Sequence, residues 1–237
     1  MTSHCVLDSA THADLRVLTD ASEALGDAVM SSLVMPSEFR QVQAHYPIVF
    51  RFDTESGGFS AHALFGFDTG ENLFLRDGGW DAHYRPLAIA VQPFLIGRSR
   101  GGARAQVHID MAHPRVSHGK GLRLFDEDNR PTPYLERISE LLGALDEGYR
   151  AGAAFFDALK RHELLEPFTL EVPLDDGSKN RLVGFHVIDE TRLRLLDPAA
   201  LGELHAQDHL MPIFMALASL AHIGDLVTRK NGRLGHG

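Results

Sequence analysis

Cysteine is almost absent from this chain, which has a single one, Cys5, among 237 residues. One thiol cannot form an internal disulfide, so the fold cannot depend on a disulfide framework. A composition of this kind is typical of proteins from a reducing compartment. His4 stands beside Cys5, but both lie in an end segment that we expect to be mobile. We therefore predict no catalytic role for this thiol.

A signal peptide and a long hydrophobic run are also missing from the sequence. The first fifteen residues show neither a basic start nor an extended apolar stretch. The most apolar segment, residues 210–224, is about five residues shorter than the ~20 that span a bilayer. We predict that it forms a buried core helix, and that the protein is soluble and cytoplasmic with no membrane span.

The sequence has no excess of positive charge and no familiar catalytic motif. Its net charge is −9, which argues against nucleic acid as a partner. It contains no G-x-S-x-G motif for a nucleophilic serine, no phosphate-binding P-loop, and no G-x-G-x-x-G that opens a helix after a strand. Composition and motifs therefore identify no reaction that this protein would catalyse.

The first half of the chain has the pattern of β-strands. Residues 46–52 and 59–67 are rich in β-formers, and the turn-rich segment DTESGG between them predicts a hairpin. NLFL (72–75) is expected to add a third strand, and residues 105–111 alternate as a strand does. We interpret residues 1–30 as a lead-in segment and residues 31–237 as one domain.

The second half has the pattern of helices around one further hairpin. Thr132 and Pro133 are a typical helix start, and Gly148 is expected to break or bend the helix that follows. DDGSKN predicts a hairpin turn near residue 177. Residues 210–230 are expected to form the last, buried helix. Strands, helices and antiparallel pairing together predict an α+β fold.

A series of short motifs resembles the SapC family, named after a gene in a bacterial surface-layer cluster. The motifs run in order from about His12 to Lys230 and cover almost the whole chain. They are YPIVF, GENLF, GGW…YRP, PFLIG, LFDEDNRPTPYL, FFDALKRHELLEP, the DDG hairpin, VGFHVIDETRLRLL and MALASL…LVTR.

The resemblance implies a link to surface-layer or envelope biology, and it assigns a catalytic role to no residue of this chain. We therefore expect a non-enzymatic accessory protein that binds a peptide, glycan or protein partner without a cofactor. A subunit of an exported surface lattice is an alternative. The last helix would bury part of a homodimer interface if its outer side were exposed.

The segment GENLFLRDGGWDAHYRP, residues 70–86, holds the only tryptophan and is called the Trp80 turn below. In one interpretation it binds a sugar ring or an extended peptide, because aromatic faces stand beside hydrogen-bonding groups. In the other, Gly78 and Gly79 form a tight turn that folds Trp80 over the core. The ligand-binding residues predicted by the first interpretation are Asn72, Trp80, Asp81, Tyr84 and Arg85.

One pair of residues favours an alternative function as an iron-dependent oxygenase. His108 and Asp110 are two positions apart on a predicted strand, so their side chains share a face. A histidine and a carboxylate placed this way can supply two ligands of a ferrous-iron triad. The third ligand would be a distant histidine: His162, His186 or His205.

Overall fold

The structure is a computed structural model that describes residues 3–76, 79–98 and 105–234. The strands are β1 (His4–Val6), β2 (Arg16–Val17), β3 (Ser31–Val34), β4 (Ile48–Asp53), β5 (Gly58–Leu64), β6 (Leu75–Arg76), β7 (Gly79–Trp80), β8 (Phe94–Arg98), β9 (Ala105–Asp110), β10 (Val116–Ser117), β11 (Leu122–Arg123), β12 (Leu165–Pro173) and β13 (Lys179–Ile188). The helices are α1 (Phe39–Val42), α2 (Leu87–Ala90), α3 (Pro133–Arg161), α4 (Glu190–Arg194), α5 (Pro198–Ala206), α6 (Leu210–Ser219) and α7 (Ile223–Leu234), with short 3-10 turns at Glu23–Leu25, Pro36–Glu38 and Leu220–His222.

The strand pairs are antiparallel, which confirms the predicted α+β class. The largest sheet has five strands in the order β12-β13-β4-β5-β3. Two three-stranded sheets have the orders β1-β9-β8 and β10-β2-β11, and β6 pairs with β7. The helices are concentrated in the C-terminal half, as the sequence predicts.

The chain divides into two compact units. The first contains Met1–Ala28, Leu75–Asp81 and Leu87–Glu147, and the second contains Val29–Phe74, Ala82–Pro86 and Gly148–Gly237.

The segment interpreted as a lead-in contributes strands and core residues to the first unit. His4 of β1 is opposite Asp110 of β9, and β2 lies between β10 and β11. Val17 is fully buried, in one apolar cluster with Ile109 and Leu124. Burial of such apolar side chains stabilises the paired segment and gives it an ordered place in the fold.

Both predicted hairpins are present in the second unit. The β4–β5 turn is fixed by Asp53, whose carboxylate accepts hydrogen bonds from the Ser56 hydroxyl (2.6 Å) and the Glu55 N–H (3.0 Å). Strands β12 and β13 pair from end to end except at an irregularity between Phe168 and Leu170, and Gly177 in the turn has a φ of 84°, a value that favours glycine. The strand predicted at NLFL is much shorter than expected, because Leu73 and Phe74 are buried in a turn.

Helix α3 is continuous over 29 residues, so the predicted break at Gly148 is wrong. A bend at Gly148 stays a prediction, but the structure shows that glycine leaves space for a neighbouring segment. A Cβ atom at this position would lie 2.9 Å from Ser37 Oγ and 3.0 Å from Met35 Cβ. The missing side chain therefore lets the helix approach the segment that follows β3.

The C-terminal helical segment is longer and less buried than the sequence predicts. It runs from Leu210 to Leu234, 25 residues, and by length and composition alone it is apolar enough to cross a membrane. Only 28% of its most apolar window is buried, although we expected a core helix. Its inner side is held by the Ser219 hydroxyl, which accepts the Ile48 N–H at 2.8 Å. Its outer side exposes about half of Met211 and Phe214.

Candidate functional site

An open cleft of about 460 Å³ lies within the second unit, between the β4–β5 hairpin and the second half of helix α3. It is lined by Leu33, Met35, Asp53, Ser56, Gly57, Gly58, Phe59, Ser60, Tyr149, Ala153, Phe156, Asp157 and Lys160. Its volume lies within the range of small-molecule sites in proteins.

The helical wall of the cleft follows from the spacing of residues on α3. Tyr149, Ala153, Phe156 and Lys160 are separated by three or four positions and therefore share one face of the helix. The opposite face carries buried Phe155, Ala158 and Leu159, which belong to the core. Lys160 Nζ donates a hydrogen bond to the Gly57 carbonyl at 3.0 Å and so ties the helix to the hairpin turn.

Aromatic rings give the cleft its apolar surface. Tyr149 is 68% exposed and lines the cleft. Phe156 and Phe59 are half-buried beside it in the lining. The Phe59 ring continues the aromatic surface across the sheet, with centroids 5.0 Å from Phe52 and 5.1 Å from His186. Rings of this kind pack against sugar faces, prolines and apolar side chains.

The polar groups of the cleft have fixed charges. Hydrogen bonds from the Ser56 hydroxyl and the Glu55 N–H lower the pKa of Asp53 and keep its carboxylate ionised. Lys160 brings a positive charge to the same turn, and Asp157 is exposed one helical turn away from Ala153. The cleft therefore offers both signs of charge beside its rings.

A serine and a histidine form a polar pair at the cleft wall. Ser60 Oγ lies 3.1 Å from His62 Nε2, because positions two apart on β5 share a face of the sheet. Burial, with a smaller effect of the Arg51 charge, lowers the pKa of His62 to about 4. The imidazole is thus neutral at neutral pH, and it is a weak general base because efficient bases titrate near the working pH. This arrangement suits hydrogen bonding better than proton transfer.

The structure places the predicted residues of the Trp80 turn in both units. Trp80 and Asp81 belong to the first unit. Trp80 is half-buried and pairs with Leu75 across the β6–β7 ladder, while the Asp81 carboxylate lies 3.1 Å from Arg76 Nε. Gly78 lies outside the described residues, so the predicted glycine turn stays a prediction. A role of Trp80 in ligand binding stays a prediction.

Asn72, Tyr84 and Arg85 belong to the second unit. Asn72 is buried, and its side-chain oxygen accepts the Phe74 N–H at 3.0 Å. The Tyr84 hydroxyl donates to the buried Glu38 carboxylate at 2.8 Å. Burial and that carboxylate raise the pKa of the Tyr84 phenol well above its ordinary value. Their polar atoms are thus engaged within the fold.

The His108–Asp110 pair lies on β9 as predicted, but both side chains have other contacts. The His108 ring lies over Gly97 of the neighbouring strand, where a Cβ atom would come within 2.0 Å of its Nε2. The Asp110 carboxylate accepts the N–H groups of Ser3 and Ala112, each at 3.1 Å. Within the described parts of the chain, no three His, Cys, Asp or Glu side chains form a group that could hold a metal ion. An iron site stays a prediction.

Cys5 has a different histidine neighbour from the one its sequence position indicates. Its Sγ lies 3.6 Å from Nε2 of His12, a buried residue whose Nδ1 is 3.2 Å from the Asp8 carbonyl. His4 instead faces Asp110, with 3.8 Å between its Nε2 and the Asp110 Oδ2. Alternation along β1 explains the difference, since adjacent side chains point to opposite faces.

Sequence analysis missed the aromatic wall of the cleft, although a signal was present. Tyr149 and Phe156 do not fall on the apolar stripe that predicts the buried face of α3. Aromatic residues outside such a stripe point away from the core, where they either stay exposed or line a site. The hairpin side could not be assigned in the same way, because nothing in the sequence places DTESGG beside this helix.

These features define the class of the protein, an α+β fold with antiparallel sheets and an aromatic cleft. A sequence model of the SapC family matches residues 7–226, nearly the whole chain. The chain therefore belongs to the SapC family, which confirms the resemblance drawn from its motifs. No curated protein and no solved structure matches it.

Proposed function

We propose that this SapC-family chain is a cytoplasmic, non-enzymatic accessory protein that binds a peptide, glycan or protein partner in an envelope or surface-layer pathway. The cleft of the second unit is the proposed binding site. The observation that carries the proposal is the exposed Tyr149 ring in an open cleft of about 460 Å³ that also contains Lys160 and Asp53.

The chemistry of the cleft favours binding over catalysis. Aromatic rings with nearby charged and hydrogen-bonding groups are typical of surfaces that recognise sugars or extended peptides. Ser60 adds a hydroxyl group to the lining of the cleft, and its Oγ lies 3.1 Å from His62 Nε2. The link to envelope biology comes from membership in the family and stays part of the proposal.

Arrays of synthetic peptides and of oligosaccharides would test this function with the full-length chain. We expect binding to one class of probe, and at least a tenfold loss of affinity in Tyr149→Ala, because the exposed ring supplies much of the contact area. Leu195→Ala is a matched control, since Leu195 is 76% exposed but does not line the cleft. Unchanged affinity in Tyr149→Ala for every bound probe would refute the cleft as the site.

Trp80→Ala, measured on the same arrays, distinguishes the two candidate sites. If the cleft is the site, Trp80→Ala binds like the wild type. Loss of binding in Trp80→Ala together with normal binding in Tyr149→Ala would move the site to the Trp80 turn. Circular dichroism of each variant shows whether the substitution has disturbed the fold.

A further inference from the structure

The five-stranded sheet has an open position beside β5, next to the cleft. Strand β3 pairs with β5 only from Leu64 to Ala61, whereas β4 continues along the other side of β5 as far as Gly58. Among the described strands, the stretch from Gly58 to Ser60 therefore has a neighbour on one side only. Its three residues line the cleft. An open strand edge of this kind is a template for pairing with another segment of chain.

The backbone groups of Phe59 point into this open position. At the end of β5, the Phe65 N–H donates to the Met30 carbonyl on the β3 side at 2.8 Å, and the Leu64 N–H donates to the Pro47 carbonyl on the β4 side at 3.0 Å. Because the backbone groups of successive residues alternate between the two sides of a strand, those of Phe59 face the β3 side. In the described part of the chain, no backbone group forms a hydrogen bond with Phe59 there.

Strand β3 does not cover the open position, because the chain turns towards helix α3 after Val34. Pro36 begins a 3-10 turn, and the Met35 N–H donates to the Glu38 carboxylate at 2.9 Å. Helix α3 approaches closely at Gly148, where a Cβ atom would lie 3.0 Å from Met35 Cβ. The open position is therefore built into the packing of the unit.

We propose that the cleft binds an extended peptide, which adds to β5 at this position as a short antiparallel strand and carries a basic side chain. The inference rests on the proposed function, since it names the ligand of the same cleft. In strand addition, main-chain hydrogen bonds supply affinity and pockets for alternate side chains supply specificity. One peptide residue would exchange two hydrogen bonds with Phe59, through its own N–H and C=O. This paired donor and acceptor favours a peptide over a glycan.

The walls of the cleft fit the side chains of such a strand. The two neighbours of the pairing residue point to one face of the sheet, the face that carries Ser60. Leu33 lies on the same face, since it is opposite His62, two positions from Ser60. Tyr149 and Phe156 of α3 line the cleft together with these residues. One neighbour of the pairing residue can therefore pack an apolar side chain against the rings.

The charges of the cleft favour a basic side chain at the other neighbour. The lining contains the carboxylates of Asp53 and Asp157 and the single ammonium group of Lys160. Lys160 Nζ donates to the Gly57 carbonyl at 3.0 Å, while Asp157 is exposed. This excess of negative charge, together with the net charge of −9, attracts a cationic segment and repels an acidic one. We therefore expect a ligand with an apolar residue and a Lys or Arg two positions apart.

Capped hexapeptides that carry leucine and a second residue two positions apart test the charge requirement on the full-length chain. The second residue is Lys, Gln or Glu, and fluorescence anisotropy measures the affinity. We expect the Lys series to bind at least tenfold more tightly than the Glu series, and Asp157→Asn to reduce this ratio at least threefold. Glu147→Gln is the matched control, because Glu147 is exposed on the same helix but does not line the cleft. Equal affinities for the three series would overturn the basic ligand.

Methylation of single backbone nitrogens in the tightest Lys peptide tests strand addition. N-methylation removes a hydrogen-bond donor, as proline does. Because only alternate N–H groups of a strand face its neighbour, methylation at the pairing residue should lower the affinity at least tenfold, and methylation at either adjacent residue should change it less than threefold. Binding that tolerates methylation at every position would show that side chains alone hold the peptide, and would overturn strand addition.

Oligosaccharide arrays separate a failure of this inference from a failure of the proposed function. Failure of every peptide to bind at about 1 mM would refute the peptide ligand. The cleft would still be supported as the site if an oligosaccharide bound and lost affinity in Tyr149→Ala. Lys peptides that bind equally well to the wild type and to Tyr149→Ala would refute both the cleft as the site and strand addition within it.

Discussion

At the scale of single residues, His62 shows how burial creates a pH dependence. Its pKa in the folded protein is lowered to about 4, chiefly by burial, from an ordinary value of 6.5. Between these two values the unfolded chain binds a proton that the folded protein does not. His62 therefore contributes stability that is fully present above pH 6.5 and is lost as the pH falls towards 4.

We predict that His62→Gln reduces this loss. A difference of about 2.5 pKa units corresponds to roughly 3 kcal/mol in the free energy of unfolding between pH 7 and pH 4. Urea denaturation at several pH values measures it, and the wild type should lose more stability than the variant. His205→Gln is the control, since His205 is exposed on α5 and should keep the pH dependence of the wild type. Parallel curves for His62→Gln and the wild type would contradict the prediction.

The residues that sequence analysis placed correctly act over short distances. Thr132, the predicted helix start, accepts the Leu135 N–H three positions along the chain. Asp189 and Asp197 cap later helices in the same way, through the N–H groups of Arg192 and Ala200. Local capping can be predicted because both partners lie in one short segment.

The longer-range pairs could not be predicted from sequence. The buried ion pair between Arg115 and Asp27 joins residues 88 positions apart, with 2.6 Å between Arg115 Nη2 and Asp27 Oδ2. Only the fold brings such groups together, and no spacing in the sequence reports their proximity.

At the scale of elements, helix α3 contains glycines with opposite requirements. Gly143 is exposed, and a Cβ atom there would meet nothing within 4 Å. Gly148 is buried, and a Cβ atom there would lie 3.0 Å or less from Ser37 and Met35. Both are helical, so alanine gains the same intrinsic helix propensity at each position.

We predict opposite effects of the same substitution at these two sites. Gly143→Ala should stabilise the protein by up to about 1 kcal/mol through helix propensity. Gly148→Ala should destabilise it by about 1 kcal/mol, because overpacking against Met35 outweighs that gain. Denaturant midpoints of the two variants provide the measurement, with each variant serving as the control for the other. Equal stabilisation at both positions would show that Gly148 is not required for close approach.

The turns and helix caps could be predicted from the sequence, but the continuation of α3 past Gly148 could not. DTESGG and DDGSKN each contain glycine and aspartate in a pattern that sets a hairpin locally. A glycine in a helical pattern has two meanings, a break or a close contact, and the sequence alone does not distinguish them. Here the contact with the segment after β3 decides in favour of a continuous helix.

At the scale of the whole molecule, the candidate site joins parts that are distant in sequence. The cleft needs a hairpin turn near residue 57 and a helix face near residue 153, which are nearly one hundred positions apart. The family could be recognised from ordered motifs along the chain, but the cleft could not be located, because it depends on how those segments pack. The Trp80 turn could be predicted as a binding site because its aromatic and polar residues are contiguous in sequence.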